Sequence, residues 1–319
     1  TSPSALPCWA LVGSARPWGG KAGPPGDVAS FGRTLQPSWQ GQRGGPAGQR
    51  RREVLHETLE KLASPGARAS MHDAAARNLE AWAAASSASS NPEGGEVMVL
   101  QGDWGDVTAT LTRRYGKTFA VLNFANAYVA GGGYVEGAAA QEENLFRRTD
   151  CHFSVSPADF DQRTNRYTPA MTQLLSAAGG RVYLDTEHPR VCVRGSEDRA
   201  RPDLGYRWLA EDEVFPFYEL RAAAVDLGSG ARFSEAETQR RVDAQLDTLM
   251  EGGVRHAVLG AFGCGAFRNP APVVARCYQR ALAARKGHFD VVAFAIFYPG
   301  YGPDNFGPFN AALTPSQAP

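Results

Sequence analysis

Apolar residues fall into two kinds of run along most of this chain. Val97–Leu100, Thr118–Phe124, His256–Leu259 and Val291–Phe297 are short and almost continuously apolar, as strands buried on both faces are. The segments between them carry a helical period. Val54, Leu55, Leu59 and Leu62 share one side of a helix that Arg50-Arg51-Arg52 opens and that runs through Ala63. Residues 71–86 form a second, alanine-rich helical segment, and Asp106–Tyr115 a third. Ser86–Gly95 is a polar loop. Ser234-Glu235-Ala236-Glu237 reads as a capping box ahead of Val242, Leu246, Leu249 and Met250, and Gly252-Gly253 ends that helix. Pro272–Arg285 is a further helix. Strand–helix–strand order over 256–297 implies parallel strands with a right-handed crossover. The alternation predicts an α/β fold of three layers, α/β/α.

Two regions resist this reading. Between 153 and 230, prolines at 157, 169, 189, 202 and 216 interrupt every pattern. Val191-Cys192-Val193 alternates like a short strand, and Leu220–Leu227 fits either a strand or a helix, the strand being preferred. Residues 1–49 are rich in glycine and proline, with Asp27 their one acid against Arg16, Lys21, Arg33 and Arg43. They are expected to be a flexible extension. Low acidity also fits a targeting peptide, although no amphipathic period supports one.

Composition narrows the class. Hydrophobic residues make up 43% and charged residues 21%, as in a soluble globular protein. Basic and acidic residues number 33 each, so there is no net basic field for phosphate backbones and no sequence-specific nucleic-acid binding is expected. No apolar run approaches a membrane span. The 5 cysteines are scattered and the 6 histidines dispersed, with no spacing that suggests a zinc site. Neither a metal nor a cofactor is expected, and an intracellular, cytoplasmic monomer is the default.

The chemistry concentrates in two glycine loops. The first, Gly131-Gly132-Gly133, follows the strand ending in Asn123-Phe124-Ala125-Asn126 and feeds Gln141-Glu142-Glu143. Glycines without Cβ let backbone lie flat on a ligand, and ligands of open α/β sheets sit beyond the carboxyl ends of strands. Gly137–Thr149 is expected to be helical, with the carboxylates in its early turns. The plain alternative is a turn before a solvated helix start. The second loop, Gly260-Ala261-Phe262-Gly263-Cys264-Gly265-Ala266-Phe267-Arg268-Asn269, joins a buried strand to a helix. Its N–H groups and the helix start can cradle a diphosphate. It is neither a Walker loop nor the usual dinucleotide fingerprint.

Together these motifs resemble the signatures of the microbial-type poly(ADP-ribose) glycohydrolases, enzymes of macrodomain fold. The resemblance covers roughly residues 50–313, with Arg50–Arg52 and the helix after them similar to the family's N-terminal accessory region. It implies a macrodomain-like α/β/α fold with a mixed sheet, a helical accessory region at 50–95 and a core at 96–319. It also implies catalytic roles for Glu143, as acid, and Glu142, on ribose hydroxyls. Ligand contacts would come from Asn126, Gly131, Gly132, Gly133 and Gln141. Gly263, Cys264, Gly265 and Ala266 would present backbone to the diphosphate, and Phe267 would pack on the terminal ribose. The segment Phe297–Phe306 resembles the family's closing loop near the adenosine, where Tyr301 or Phe306 could stack on adenine.

The implied reaction is hydrolysis of the ribose–ribose bond of poly(ADP-ribose), with poly(ADP-ribose) or ADP-ribosylated proteins as partners and ADP-ribose as product. Glycoside hydrolysis usually employs two carboxylates around an oxocarbenium-like transition state. Adjacent helical residues point about 100° apart, so Glu142 and Glu143 are expected to do different jobs. Three rivals stand beside this reading: an ADP-ribose-binding reader, a hydrolase removing mono-ADP-ribose from protein or nucleic acid, and an unrelated nucleotide-sugar enzyme sharing only the glycine loops.

Overall fold

The computed structural model describes residues 45–87, 95–161, 163–300 and 302–314. Helices α1 (Pro46–Leu62) and α2 (Pro65–Ala85) each begin with a proline, whose missing N–H is no loss in a first turn. Residues 46–49, expected in the flexible extension, therefore belong to α1. The part of that stretch up to residue 44 lies outside the described residues.

Strand β1 (Glu96–Gln101) leads into α3 (Trp104–Tyr115), capped by Asp103, whose Oδ1 accepts from Gly105 N at 2.8 Å and Asp106 N at 3.3 Å. Gly116 ends it in the left-handed region, at φ 57°. Next come β2 (Phe119–Phe124), α4 (Gln141–Arg148), a short hairpin of β3 (Phe160–Asp161) and β4 (Arg166–Tyr167), and α5 (Pro169–Leu175). Strands β5 (Tyr183–Cys192) and β6 (Phe215–Ala222) precede α6 (Glu235–Glu251), β7 (His256–Leu259), α7 (Ala271–Ala283), β8 (Val291–Ile296) and α8 (Phe306–Leu313).

The main sheet has the order β1-β8-β7-β2-β6-β5. Every neighbouring pair is parallel except β5 with β6. Alternation along the strands divides the core in two. Ala120, Leu122, Leu220, Val292 and Phe294 pack with Val242, Leu246, Val274 and Phe309 from α6, α7 and α8. Phe119, Val121, Phe217, Val291 and Ala293 pack on the other side with Leu55, Leu111, Leu145 and Phe146 from α1, α3 and α4. The result is the expected α/β/α sandwich with a mixed sheet.

Four local expectations change. The strand read at Leu220–Leu227 is β6, which ends at Ala222; the chain then leaves the sheet toward a 3-10 turn at Leu227–Ser229. The strand at 191–193 is the end of the 10-residue β5, whose polar Asp185, Glu187 and His188 sit at the sheet's edge beside a bulge. Ser234 does cap α6, accepting from Glu237 N at 3.2 Å, but Glu237 turns to Arg240 and Arg241, so the reciprocal half of the capping box is missing. The helix expected from Gly137 starts at Gln141. Gly137 has φ +81°, and a Cβ there would overlap the Gly48 carbonyl at the start of α1.

Residues 193–214, within the unreadable stretch 153–230, are ordered by charge. Arg194 donates to Glu57 Oε2 at 2.7 Å and Thr58 Oγ1 at 2.8 Å, and Arg51 pairs with Glu197 through two hydrogen bonds of 3.2 and 2.6 Å. This pins α1 to the core. A pattern of apolar positions cannot announce a segment held by buried ion pairs.

Candidate active site

The two glycine loops leave adjacent central strands at the same edge of the sheet. The loop after β2 passes to α4 on one face, and the loop after β7 passes to α7 on the other. Connections that diverge in this way open a crevice between two strand ends. The loops touch at its floor. The rings of Phe124 and Phe262 meet edge-on at 6.3 Å, and a Cβ on Gly260 would stand 2.9 Å from Phe124 Cζ.

Helix α4 is fastened to the end of β2 by one side chain. β7 pairs with β2 only at Ala120 and Val121, leaving the rest of that edge unpaired. Gln141 fills the gap: its Oε1 accepts from Phe124 N at 2.9 Å and its Nε2 donates to Leu122 O at 2.9 Å. The amide thus replaces a strand neighbour and sets where Glu142 and Glu143 stand.

Both carboxylates then turn onto the glycine loop. Glu142 Oε2 accepts from Asn126 N at 2.7 Å and Oε1 from Gly131 N at 3.0 Å. Glu143 Oε1 accepts from Gly133 N at 2.9 Å, and its Oε2 takes no hydrogen bond among the described residues. Gly131 and Gly132 have φ of 70° and 55°. A Cβ on Gly132 would lie 2.5 Å from Glu143 Oε1 and 3.1 Å from Glu142 Oε2. The adjacent glutamates do not diverge as ideal helix geometry suggests; both converge on one glycine. Asn126 shapes the entry, its Oδ1 accepting from Tyr128 N at 2.8 Å and Val129 N at 3.0 Å.

The two acids differ in environment. Burial and the neighbouring Glu143 push the Glu142 carboxyl well above its usual range, against the N–H groups of Asn126 and Gly131 and the charge of Arg221. Tyr134 packs under Gly131, and its hydroxyl meets His152 Nδ1 at 2.8 Å. Burial and then Arg68 lower His152 to about 4, so this imidazole stays neutral near pH 7.

Beneath the loop lies a charge cluster whose members are scattered along the chain and share no motif. Glu219 is fully buried and accepts from Asn123 Nδ2 at 2.9 Å, Arg221 Nε at 2.7 Å and Arg190 Nε at 3.3 Å. Burial alone would raise its pKa, but Arg221, Arg190 and the Asn123 amide hold it down to about 2. Arg221 continues to Ser154 Oγ at 2.7 Å. The cluster draws Asn123, Ser154, Arg190 and the Glu219–Arg221 pair from four separate stretches of chain, and only the alternation of β6, which turns Glu219 and Arg221 to one face, hints that any of them belong together.

The second loop presents bare backbone. Gly263 has φ 72°, and Asn269 ties the turn with Nδ2 bonds to Val225 O at 2.8 Å and Gly263 O at 3.1 Å. Gly265 and Ala266 are exposed. Among the described residues, the N–H groups of Gly263, Gly265, Ala266 and Phe267 donate to nothing, just ahead of α7. Such a nest is a site for an anion. Phe267 is half-buried at its end. Burial pushes the Cys264 thiol up to about 12, which suits a residue presenting backbone and not a nucleophile.

At the β8 side, Phe306 begins α8 and packs partly against the apolar cluster of α7 and α8. Tyr301 lies outside the described residues. Phe297 and Tyr298, which follow β8 directly, are instead the exposed aromatics there, at 45% and 55%. Arg199 reaches from the 193–214 segment to bond Ala139 O at 3.2 Å and Pro299 O at 3.3 Å, spanning the two sides.

Topology, the diverging crossovers and the paired loops make this a macrodomain-like α/β/α protein with a crevice between two central strand ends. Residues 57–174 match the family model of the microbial-type PARG, catalytic domain. The match includes the first loop and both glutamates; the second loop lies beyond it. Among solved structures, the fold is similar to poly(ADP-ribose) glycohydrolase from Thermomonospora curvata, with a TM-score of 0.57 and 23% identity over 83% of this chain and 100% of that one. The same enzyme bound to the inhibitor ADP-HPD gives 0.56, with 23% identity and the same coverage. The Deinococcus radiodurans enzyme in complex with ADP-ribose gives 0.51, with 24% identity over 77% of this chain and 92% of that one. No curated protein matches the chain.

Proposed function

We infer that this protein is a poly(ADP-ribose) glycohydrolase, cutting the O-glycosidic ribose–ribose bond and releasing ADP-ribose. The observation that carries the reading is the pairing of Glu143, one oxygen held by Gly133 N and the other free, with a nest of unused N–H groups across the same crevice. A diphosphate on the nest at 263–267 leaves the attached ribose to reach the glutamates. Glu143 then protonates the departing ribose oxygen through Oε2, and the same carboxylate accepts a proton from the water that attacks the anomeric carbon. Glu142 fixes the loop with both oxygens and offers their remaining lone pairs to ribose hydroxyls. The substrate's own diphosphate, close by, offsets positive charge on the ribose. Phe267 packs on the terminal ribose, and Phe297 or Tyr298 offers the adenine a face.

The test is release of free ADP-ribose from poly(ADP-ribose) by the wild type and by Glu143→Gln, with ADP-ribose binding measured on both. Release by the wild type alone, with binding retained by the variant, supports the assignment. Binding without release by either protein sinks it and leaves a reader of ADP-ribose or a hydrolase of mono-ADP-ribosylated targets.

A further inference from the structure

Among the described residues, the exposed large hydrophobic side chains are Tyr128, Phe297 and Tyr298, and all three follow strand ends at the crevice's edge of the sheet, Tyr128 after β2 and the others after β8. Their order along the sheet is informative. Strand ends run β8, β7, β2, β6, spaced by roughly 5 Å per strand. The exposed aromatics after β8, the anion nest after β7 and the carboxylates after β2 follow one another in that sequence. A bound ADP-ribose therefore lies with adenine toward β8, diphosphate on β7 and reacting ribose over β2. Whatever is joined to that ribose continues past β2 toward β6.

Tyr128 stands on that far side. The residue is 56% exposed, yet its backbone is held: the N–H donates to Asn126 Oδ1 and the carbonyl accepts from Tyr167 N at 2.8 Å. Tyr167 belongs to β4 and packs with Leu175 and Ala223, next to the end of β6. Its neighbours in the hairpin, Arg163 and Arg166, are exposed, and Asp161 faces the Arg163 guanidinium only as a long-range charge. An exposed aromatic side chain on a backbone tied to a hairpin that carries two exposed guanidinium groups suits a nucleotide: the ring takes a base, the arginines its phosphates.

We propose that Tyr128, Arg163 and Arg166 form a subsite for the ADP-ribose unit on the leaving side of the scissile bond. The Tyr128 ring stacks on that unit's adenine, and the arginines meet its diphosphate. The proposal rests on the poly(ADP-ribose) reading and gives the site a means to favour polymer over a single unit.

The experiment measures binding of ADP-ribose and of poly(ADP-ribose) chains of defined length to full-length Glu143→Gln protein, with and without Tyr128→Ala, Tyr128→Trp or Arg163→Ala/Arg166→Ala. Cleavage by the same changes in the wild-type background is followed in parallel. Tyr128→Ala is expected to weaken polymer binding and lower kcat/KM on polymer about tenfold, leaving ADP-ribose binding within about twofold. Tyr128→Trp restores polymer binding, and the double arginine variant flattens its salt dependence. Equal effects of Tyr128→Ala on polymer and on ADP-ribose, or none on either, overturn the subsite. Absence of ADP-ribose release by the wild type would instead remove the hydrolase assignment, while the comparison of polymer with monomer binding still decides on the subsite.

Discussion

Gly132 and Glu143 occupy each other's margin: a single Cβ on the glycine would come within 2.5 Å of the carboxylate's Oε1. The loop and the acid therefore define one position jointly. Gly132→Ala forces either the backbone out of φ 55° or the carboxylate off Gly133 N. The backbone cost is about 1–2 kcal/mol, small beside the effect on the reaction, because misplacing a catalytic group by about 1 Å can cost on the order of a hundredfold. The expectation is a loss of about two orders of magnitude in kcat/KM with a fall of only a few degrees in Tm. A variant that keeps more than a third of wild-type turnover would show that the loop does not position Glu143.

The second loop predicts a different pattern. A Cβ on Gly263 would press on Ala224 Cβ at 2.5 Å and on Asn269 Nδ2 at 2.6 Å, the amide that closes the turn. Gly263→Ala should therefore spread the nest and weaken ADP-ribose binding by more than tenfold. Calorimetric titration with ADP-ribose measures this directly. Unchanged affinity would mean that the diphosphate lies elsewhere.

What the sequence made legible follows from where information is local. Buried central strands and helices announce themselves through runs of neighbours such as Phe119–Leu122 or Val242–Leu249, and the glycine loops through residues that have few other uses. The position of Gln141 was legible, whereas its bonds to Leu122 O and Phe124 N depend on β7 being too short to cover that edge of β2. Segment 193–214 was opaque because Arg194 and Glu197 find their partners, Glu57 and Arg51, far along the chain. Tyr128 showed no sign of exposure in sequence, lying between Ala127 and Val129 in the stretch that joins β2 to the glycines.

Gln141 is a case where structure and resemblance can be separated by experiment. Its amide is committed to the backbone of β2 at both ends, so Gln141→Leu would leave Leu122 O and Phe124 N without partners. Each such loss costs about 1–3 kcal/mol. The variant should lose about 2–5 kcal/mol of stability in chemical denaturation, and the Phe124 amide should exchange much faster with solvent. A fully stable Gln141→Leu that has lost only ADP-ribose binding would assign the side chain to the ligand instead.

Acid sensitivity should trace to the cluster under the loop. Glu219 is held at about 2 in the folded protein by Arg221 and Arg190 despite its burial, whereas an unfolded glutamate titrates near about 4.3. The folded pKa is the lower of the two. Glu219 therefore contributes stability that is present above about pH 4.3 and is lost as pH falls toward 2. Glu197, also held at about 2 by Arg51 and Tyr206 against its burial, adds to the same window. Glu142 acts in the opposite sense: its folded pKa is raised, so its contribution is lost as pH rises through that value. Glu219→Gln leaves Arg221 buried without a counter-charge and Arg190 with Asp185 alone, and should cost about 3–5 kcal/mol at pH 7. It should also shrink the stability difference between pH 7 and pH 3, because the group that titrates there is gone. Urea unfolding of both proteins at the two pH values decides the matter; a variant with the wild-type pH dependence would move the origin of acid sensitivity away from this cluster.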